Sequence, residues 1–336
     1  MKMYEEIMDQ KHLFKRLDPY LQTKKESLTK KINESRNIVM FATGASLNAC
    51  IASTFAFVKH LEKKPIIIPA SEANQYLEII SSNDLIVVVS QSGDSFETKM
   101  ICELLNSKKL DFIGITNEEN STLANKATDV LLLHAQDEIS SATKTYTATI
   151  YILFFLATIL TKDNYLLNIN EVVSEILESK LDMAEIVETI SAENYMYVLS
   201  DAINYSTARA TALLLKEKDL ILAEAMTLSE FRHGAVEVVK EGFVCFIIVS
   251  DESYKSEFLK HLAFLRAIKA TIICVSSYNI ENSDNIVHLQ LPTLKNNVFS
   301  PLTMILPSQL ISLEIASKLN LNADSFIYLN KVLDIY

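Results

Sequence analysis

The sequence predicts an α/β protein built from two tandem, doubly wound parallel-sheet domains with flanking helices. Two observations carry this prediction. Apolar runs rich in β-branched residues, such as residues 85–89 (LIVVV), recur along the chain and are typical of strands buried on both faces of a parallel sheet. Helical stretches separate these runs, and the second half of the 336-residue chain repeats the plan of the first.

The first half is expected to hold a helical N-terminal segment and one domain. The segment covers residues 1–32 and the domain residues 33–163. Ser71, followed by an acidic residue, favours a helix start at that position. The predicted strands are residues 37–42, 65–69, 85–89, 112–116 and 130–133, and the predicted helices are residues 47–62, 71–80, 98–105 and 145–160.

Residues 163–168 (DNYLLN) are the predicted linker to a second domain over residues 170–320. A tail over residues 321–336 follows that domain. The predicted strands of the second domain are residues 195–200, 243–249, 271–275 and 286–291, and its predicted helices are residues 170–190, 206–220, 255–270 and 300–319.

Composition narrows the functions that the chain can carry. The net charge of −11 and the lack of a basic run argue against a nucleic-acid surface. The N-terminus, MKMYEEIMDQK, lacks the apolar region of a signal peptide, and the apolar stretch 150–160 is too short to span a bilayer. Four widely separated cysteines in apolar segments predict reduced thiols of a cytoplasmic protein, with no metal site and no cofactor: Cys50, Cys102, Cys245 and Cys274.

A polar turn directly after the strand at residues 85–89 is the strongest candidate site. Residues 90–95 (SQSGDS) hold three serines and one of the chain's five glycines, Gly93. Asp94 and Glu97 have the spacing of a capping box, which predicts a helix start here. A strand, a polar turn and a helix N-terminus together favour phosphate binding, because free N–H groups and the helix dipole converge there. An ordinary, well-capped turn is the alternative.

Two other turns have a similar setting. Residues 43–46 (TGAS) follow the first predicted strand and hold another of the five glycines, whereas the turn at residues 250–253 has none. We therefore expect only the first domain to bind phosphate.

Charged residues crowd into two further places. Residues 230–234 (EFRHG) include His233, the one histidine in a polar turn beside a glycine, although a lone loop histidine is more often a surface residue. Residues 216–219 (KEKD) end an otherwise apolar helix. Position alone predicts a helix end that dips into solvent, and it does not single out Glu217.

These motifs resemble those of the sugar isomerase (SIS) domain family, specifically its double-SIS members. Those members include the isomerase half of glucosamine-6-phosphate synthase, phosphosugar deaminases and fructosamine-6-phosphate deglycases. The resemblance covers nearly the whole chain, from the opening helix at residues 3–10 onward. Four segments carry it: residues 43–46, residues 90–95, the Thr143–Lys144 pair and residues 230–234. Of these, residues 90–95 resemble the family's most specific motif. The resemblance implies two SIS-type, flavodoxin-like domains.

The resemblance also implies a role for individual residues and a homodimer. Glu217, sixteen residues before the motif histidine, would be the base that moves a proton between adjacent carbons, and His233 would open the sugar ring. Lys331, in a tail over the active site, is the third catalytic residue, and the histidine would come from the partner chain. The implied phosphate ligands are Gly44, Ala45, Ser46, Ser90, Gln91, Ser92, Gly93 and Ser95.

Departures from the family pattern bear on the reaction. Leu214 stands where synthases carry a second lysine, Ala45 and Ala235 replace the usual threonine and proline, and the start MKMYEE lacks a nucleophilic cysteine. We therefore expect no glutaminase activity. The favoured function is an enzyme that deaminates or deglycates an aminosugar 6-phosphate or a fructosamine 6-phosphate through an enediol or enolamine. A non-catalytic phosphosugar sensor and a plain aldose–ketose isomerase remain as alternatives.

Overall fold

The computed structural model describes residues 1–163, 165–179, 181–191, 195–280, 283 and 285–328. Within them the chain has an α/β fold with two five-stranded sheets, and all named strands pair in parallel. The predicted class and the two parallel sheets are confirmed. The chain divides into a first-sheet unit, which combines Asp9–Asn170 with the described residues 327 and 328, and a second-sheet unit, which combines Met1–Met8 with Glu171–Phe326.

The first sheet has the strand order β2-β1-β3-β4-β5. Every residue of β1, β3 and β4 is buried, as continuous apolar runs require. The elements in this part of the chain are α1 (Lys2–Glu34), β1 (Ile38–Ala42), α2 (Gly44–Leu61), β2 (Ile66–Pro69), α3 (Ala73–Tyr76), β3 (Leu85–Val89), α4 (Phe96–Ser107), β4 (Phe112–Thr116), α5 (Thr122–Lys126), β5 (Asp129–Leu132) and α6 (Lys144–Thr158).

The second sheet has the order β10-β9-β8-β6-β7, which is the same plan counted from its own first strand. In both sheets the first strand lies one position in from an edge, the second strand forms that edge, and the third, fourth and fifth lie on its other side. The elements are α7 (Leu167–Glu178), α8 (Ala184–Thr189), β6 (Tyr195–Ser200), α9 (Tyr205–Lys218), β7 (Leu222–Thr227), α10 (Leu228–Phe231), β8 (Val244–Val249), α11 (Lys255–Ala267), β9 (Thr271–Ser276), β10 (Ile286–Gln290) and α12 (Pro301–Lys318).

Two apolar helices, α6 and α12, are almost entirely buried. All fifteen residues of α6 are buried, and the carboxylate of Glu138 closes its N-terminus by accepting hydrogen bonds from the backbone N–H groups of Thr143 (2.8 Å) and Thr145 (3.1 Å). The segment Asn297–Lys318, which contains α12, is long and apolar enough to cross a membrane by composition. Because 94% of its most apolar stretch is buried, it has the character of a core helix.

The structure corrects two of the predicted helices and adds one strand. The predicted helix 170–190 is two helices, α7 and α8, and the predicted helix 71–80 is a 3₁₀ turn, Ala70–Glu72, followed by the short α3. Strand β7 was not predicted at all. Its sequence, LAEAMT, contains a glutamate and two alanines, which have low strand propensity, and it lies at the edge of the sheet.

Candidate functional site

The two glycine-containing turns of the first-sheet unit lie side by side. β1 and β3 are neighbours, and their last residues, Ala42 and Val89, are paired in register. The chain leaves β1 for β2 on one side of the sheet, whereas β3 lies on the other side, so the strand order reverses between β1 and β3. In open α/β sheets, ligands bind in the crevice at the carboxyl end of such a switch point. The turns at residues 43–46 and 90–95 both open onto it.

The turn at residues 90–95 is fixed by its own side chains and by its close approach to Ser121. Oγ of Ser90 accepts a hydrogen bond from the backbone N–H of Gly93 (3.1 Å), and Oγ of Ser92 accepts one from that of Asp94 (3.3 Å). Gly93 has φ +66°, and a Cβ there would lie 2.2 Å from Oγ of Ser121. Glycine is therefore required at this position for two reasons, its backbone conformation and its contact with Ser121.

Helix α4 begins one residue later than the predicted capping box implies. Ser95 is the N-cap, and its Oγ accepts from the backbone N–H of Thr98 (3.4 Å). The predicted Asp94–Glu97 box is wrong because the Asp94 carboxylate is engaged elsewhere. It accepts from the N–H (3.2 Å) and the Oγ1–H (2.6 Å) of Thr122 at the start of α5. The turn is thereby tied to α5, and serine instead of aspartate caps the helix at the crevice.

The turn after β1 leads directly into α2. Gly44 has φ +58° and is the first residue of that eighteen-residue helix, and Ser46 lies partly buried in the first turn. Two helix N-termini, those of α2 and α4, therefore start at the same edge of the sheet. Each presents backbone N–H groups without intrahelical acceptors, together with the positive end of a helix dipole, and this arrangement suits an anion.

The equivalent crevice of the second-sheet unit lies between β6 and β8 and is closed by a carboxylate of the chain itself. Asp201, which follows β6, is 2% exposed. Its Oδ2 accepts from the backbone N–H groups of Ser250 (2.8 Å) and Asp251 (3.0 Å), and its Oδ1 accepts from the backbone and side-chain nitrogens of Asn204 (both 2.9 Å). The donors that could hold an anion here already hold Asp201. Asp201 was missed because a single aspartate after a strand has no distinctive sequence signal.

Glu217 lies in the last turn of α9, between exposed Lys216 and buried Lys218. Its own side chain is partly buried. Lys218 and Asp219 are 2% and 1% exposed, so the prediction that this helix end dips into solvent is wrong for both. Burial raises the pKa of Asp219 to about 8, although the hydrogen bond from Ser312 and the Lys218 charge act in the opposite direction.

A cavity of about 770 Å³ lies at the amino ends of β6, β7 and β8. Lys216 lines it together with Tyr195, Leu222 and Phe243. The end of α9 that carries Glu217 is therefore at the amino edge of the second sheet, the edge opposite to the one that Asp201 closes.

His233 lies in an exposed turn after α10. Oγ1 of Thr227 caps that helix by accepting from the N–H of Glu230 (3.2 Å), and the N–H of His233 donates to the carbonyl of Glu230 (2.9 Å). Gly234 has φ +128°, which favours glycine at this bend. In sequence, Glu217 precedes β7 and His233 follows it, and the six extended residues of β7 span about 17–20 Å.

Two further features were predicted, Lys331 and the Thr143–Lys144 pair. Lys331 lies outside the described residues. Lys144 of the Thr143–Lys144 pair is buried in the first-sheet unit, with Nζ 3.7 Å from a carboxylate oxygen of Asp9, which also forms a bidentate pair with Arg16. No group of three or more His, Cys, Asp or Glu side chains suited to a metal occurs among the residues that the structure describes.

The two turns described above lie within a stretch of the chain that matches a known domain family. Residues 31–159 match the family model for the SIS domain, and that span contains all of β1–β5 and α6. One SIS domain is therefore present.

Over a longer span the chain is homologous to the isomerase part of the isomerizing glutamine–fructose-6-phosphate aminotransferase of Streptococcus mutans. The two are 27% identical over 316 residues, which cover 89% of this chain and 51% of the relative. The chain spans about half the length of the curated relatives that it matches.

The fold recurs in solved structures. Glucosamine-6-phosphate deaminase of Thermotoga maritima has a TM-score of 0.79 at 22% identity, with 99% of both chains covered. Tagatose-6-phosphate ketose/aldose isomerase of Escherichia coli has a TM-score of 0.83 at 17% identity, with 100% of this chain and 97% of that one covered. At these identities the likeness concerns the fold alone.

Proposed function

We propose that the protein is a phosphosugar isomerase-type enzyme that releases an amine from an aminosugar 6-phosphate or a fructosamine 6-phosphate through an enediol or enolamine. The observation that carries the proposal is the pair of glycine- and serine-containing turns at the β1/β3 switch point of the first-sheet unit, each leading into a helix N-terminus. A phosphate there would be held at a fixed distance from the carbons that react, which is the positioning that an enzyme needs.

The proposed phosphate ligands come from both turns. Hydroxyls and backbone N–H groups are neutral donors, and two helix dipoles add positive potential without a metal or an arginine. The second-sheet unit binds no phosphate in this proposal, because Asp201 occupies its crevice. The matching strand order of the two sheets supports a second, degenerate SIS-type domain there. The proposed ligands are Gly44, Ala45, Ser46, Ser90, Gln91, Ser92, Gly93 and Ser95.

The proposed chemistry is a proton transfer between adjacent carbons. Glu217 is the base, His233 opens the sugar ring, and Lys331 adds positive charge near the developing enolate oxygen. The named relatives support this set of steps. An isomerizing aminotransferase, an aminosugar phosphate deaminase and a ketose/aldose isomerase all act on a carbon beside a carbonyl or an imine.

Amine release is the proposed direction. Leu214, one turn before Glu217 on α9, is 4% exposed, so an apolar side chain packs where the family resemblance places a second synthase lysine. Water is also far more abundant in a cell than free ammonia. A plain aldose–ketose isomerase is the second candidate, because the same proton transfer between adjacent carbons would isomerise a sugar phosphate that carries no amine.

We further propose a cytoplasmic homodimer with shared active sites. Glu217 and His233 of one chain are separated by the length of β7, which supports pairing the glutamate of one chain with the histidine of another. The exposure of His233 leaves it accessible to a partner. All four cysteines are buried free thiols, as is typical of a reducing compartment.

The test is a substrate panel in deuterated water that follows two signals together. Glucosamine 6-phosphate, fructosamine 6-phosphates and fructose 6-phosphate are offered, and we expect solvent deuterium at the carbon beside the carbonyl and amine release from the first two kinds. Glu217→Gln should lower both signals about a hundredfold or more if Glu217 is the base. Deuterium uptake without amine release would instead establish the plain isomerase. Binding without turnover would establish the sensor.

A further inference from the structure

The end of α9 is joined to the segment 323–326 by a buried lysine. Nζ of Lys218 donates a hydrogen bond of 3.0 Å to the carbonyl oxygen of Ser325 and lies 4.1 Å from the centroid of the Phe326 ring. A lysine that is 2% exposed requires such partners, because an ammonium group loses its hydration on burial. This contact therefore fixes where segment 323–326 lies against α9.

The same segment is also held at its adjacent residue. The carboxylate of Asp324 accepts from the backbone N–H groups of Lys2 (3.1 Å) and Met3 (2.9 Å) and so caps the N-terminus of α1. Burial acts to raise the pKa of Asp324, but the hydrogen bonds from Met3 and Lys2 and the N-terminal charge hold it below its usual value. Segment 323–326 thus has two independent anchors, and only one of them reaches α9.

On its other side, the end of α9 is fixed to α12. Oγ of Ser312 donates to Oδ2 of Asp219 (2.7 Å), and Oγ1 of Thr211, further back on α9, is within 2.9 Å of Oγ of Ser308. The turn that carries Glu217 therefore lies between two rigid attachments, Lys218 to segment 323–326 and Asp219 to α12. A rotation of this turn would break at least one of them.

We propose that Lys218 is a positioning residue for Glu217, acting by locking the last turn of α9 to segment 323–326. This inference rests on the proposed role of Glu217 as the base. Lys218 does not touch the substrate in this proposal. It sets the direction in which the neighbouring carboxylate points, and small errors in such a direction strongly slow a proton transfer.

The test compares three variants in the whole 336-residue chain. Lys218→Met keeps the length of the side chain and removes its charge and its donors. Lys218→Arg keeps a cation that can donate to the Ser325 carbonyl and lie over the Phe326 ring. Lys260→Met removes an exposed lysine from α11 of the same unit and is the control.

Lys218→Met should lower kcat for deuterium incorporation by about ten- to a hundredfold while KM and the affinity for glucose 6-phosphate change by less than about threefold. Lys218→Arg should restore most of the lost rate, and Lys260→Met should have the same kcat as the protein without a substitution. An unaltered kcat in Lys218→Met, or an equal loss in Lys260→Met, would overturn the proposal. So would a loss in Lys218→Met that Arg fails to restore.

A second measurement does not depend on activity. Hydrogen exchange followed by mass spectrometry should show faster exchange in Lys218→Met for peptides that cover residues 214–220 and 322–326, and unchanged exchange in α4. If Lys218→Met fails to fold, Phe326→Leu removes the ring and leaves the lysine in place, and exchange should still rise in both peptides. Exchange rates equal to those of the unchanged protein contradict the lock. Failure of the proposed function gives a different result, because the protein without any substitution would then be inactive in the deuterium assay.

Discussion

Oδ2 of Asp201 accepts a 2.8 Å hydrogen bond from the backbone N–H of Ser250, across the switch point between β6 and β8. At the corresponding place in the first sheet, the turns after β1 and β3 are open to a ligand in the proposed function. The two sheets thus have crevices with the same arrangement of strands. In the second sheet, the carboxylate of Asp201 occupies the crevice.

Removing that anion should destabilise the protein in a way that phosphate can partly reverse. Asp201→Gly leaves the donors of Asn204, Ser250 and Asp251 without their acceptor, and we expect a loss of about 2–4 kcal/mol in the free energy of unfolding. Inorganic phosphate should then raise the Tm of Asp201→Gly more than that of the unchanged protein. Equal rises in Tm for the two proteins would contradict the inference that Asp201 occupies an anion site in the second sheet.

Removing two hydroxyls from the open crevice should weaken phosphosugar binding. Ser90→Ala with Ser92→Ala removes the acceptors that fix the N–H groups of Gly93 and Asp94, and we expect at least a tenfold loss of affinity for glucose 6-phosphate by calorimetry, about 1.4 kcal/mol. Ser107→Ala, an exposed serine at the other end of α4, is the control. Unchanged affinity in the double variant would place the phosphate elsewhere.

The contact made by Gly93 gives a prediction about stability. A Cβ at Gly93 would meet Oγ of Ser121 at 2.2 Å, whereas a Cβ at Gly242, which also has positive φ, meets nothing within 4 Å. Gly242→Ala should therefore cost about 1 kcal/mol from backbone strain alone, and Gly93→Ala about 2–4 kcal/mol. Urea unfolding measures both, and equal losses would show that the Ser121 contact relaxes freely.

Complementation tests the proposed shared site. Glu217→Gln and His233→Ala homodimers should each be inactive, and a mixture that exchanges subunits should recover activity, up to about a quarter of the sites' full value if mixed dimers carry one intact site in two. The separation of the two residues by β7 motivates the experiment. Mixed dimers without activity would mean that each site is built from one chain.

Asp219 predicts how stability changes with pH. Its folded-state pKa is about 8, and an unfolded aspartate has a pKa of about 3.9, so the folded state holds a proton that the unfolded state releases. The stabilisation is complete below about pH 4 and is lost as the pH rises to about 8, by up to about 1.4 kcal/mol per pH unit. Asp219→Asn should lack this slope. Urea unfolding at several pH values across that window measures it, and identical slopes in both proteins would contradict the assignment.

A feature could be predicted from the sequence where residues close to it in the chain determine it, and not where distant residues do. Residues 85–89 were predicted as a buried strand because five apolar residues in a row need no distant information. β7 was missed because its pairing with β6, and not its composition, makes it a strand. The capping residue was placed one position too early, since both Asp94 and Ser95 are good caps and only the position of Thr122 decides between them.

In the candidate site, too, features determined by nearby residues could be predicted and features determined by distant residues could not. The turns at residues 43–46 and 90–95 were predictable from their glycines and serines, and their adjacency followed from the strand order. The burial of Lys218 and Asp219 was not predictable, because it depends on Ser312 and Ser325, about a hundred residues further along the chain. Position alone did not single out Glu217, and only the family resemblance drew attention to it.

The capping of α1 by Asp324 has a consequence for how the chain is made. Met1–Met8 belong with Glu171–Phe326, whereas Asp9–Asn170, which lie between them in sequence, belong to the other unit. On the ribosome, the strands of the first sheet emerge before residue 324 is made, whereas the N–H groups of Lys2 and Met3 must wait for residue 324 before they find the carboxylate that caps them. Lys2 and Met3 are thus translated before the first sheet but reach their final contacts only after all of its strands have been made.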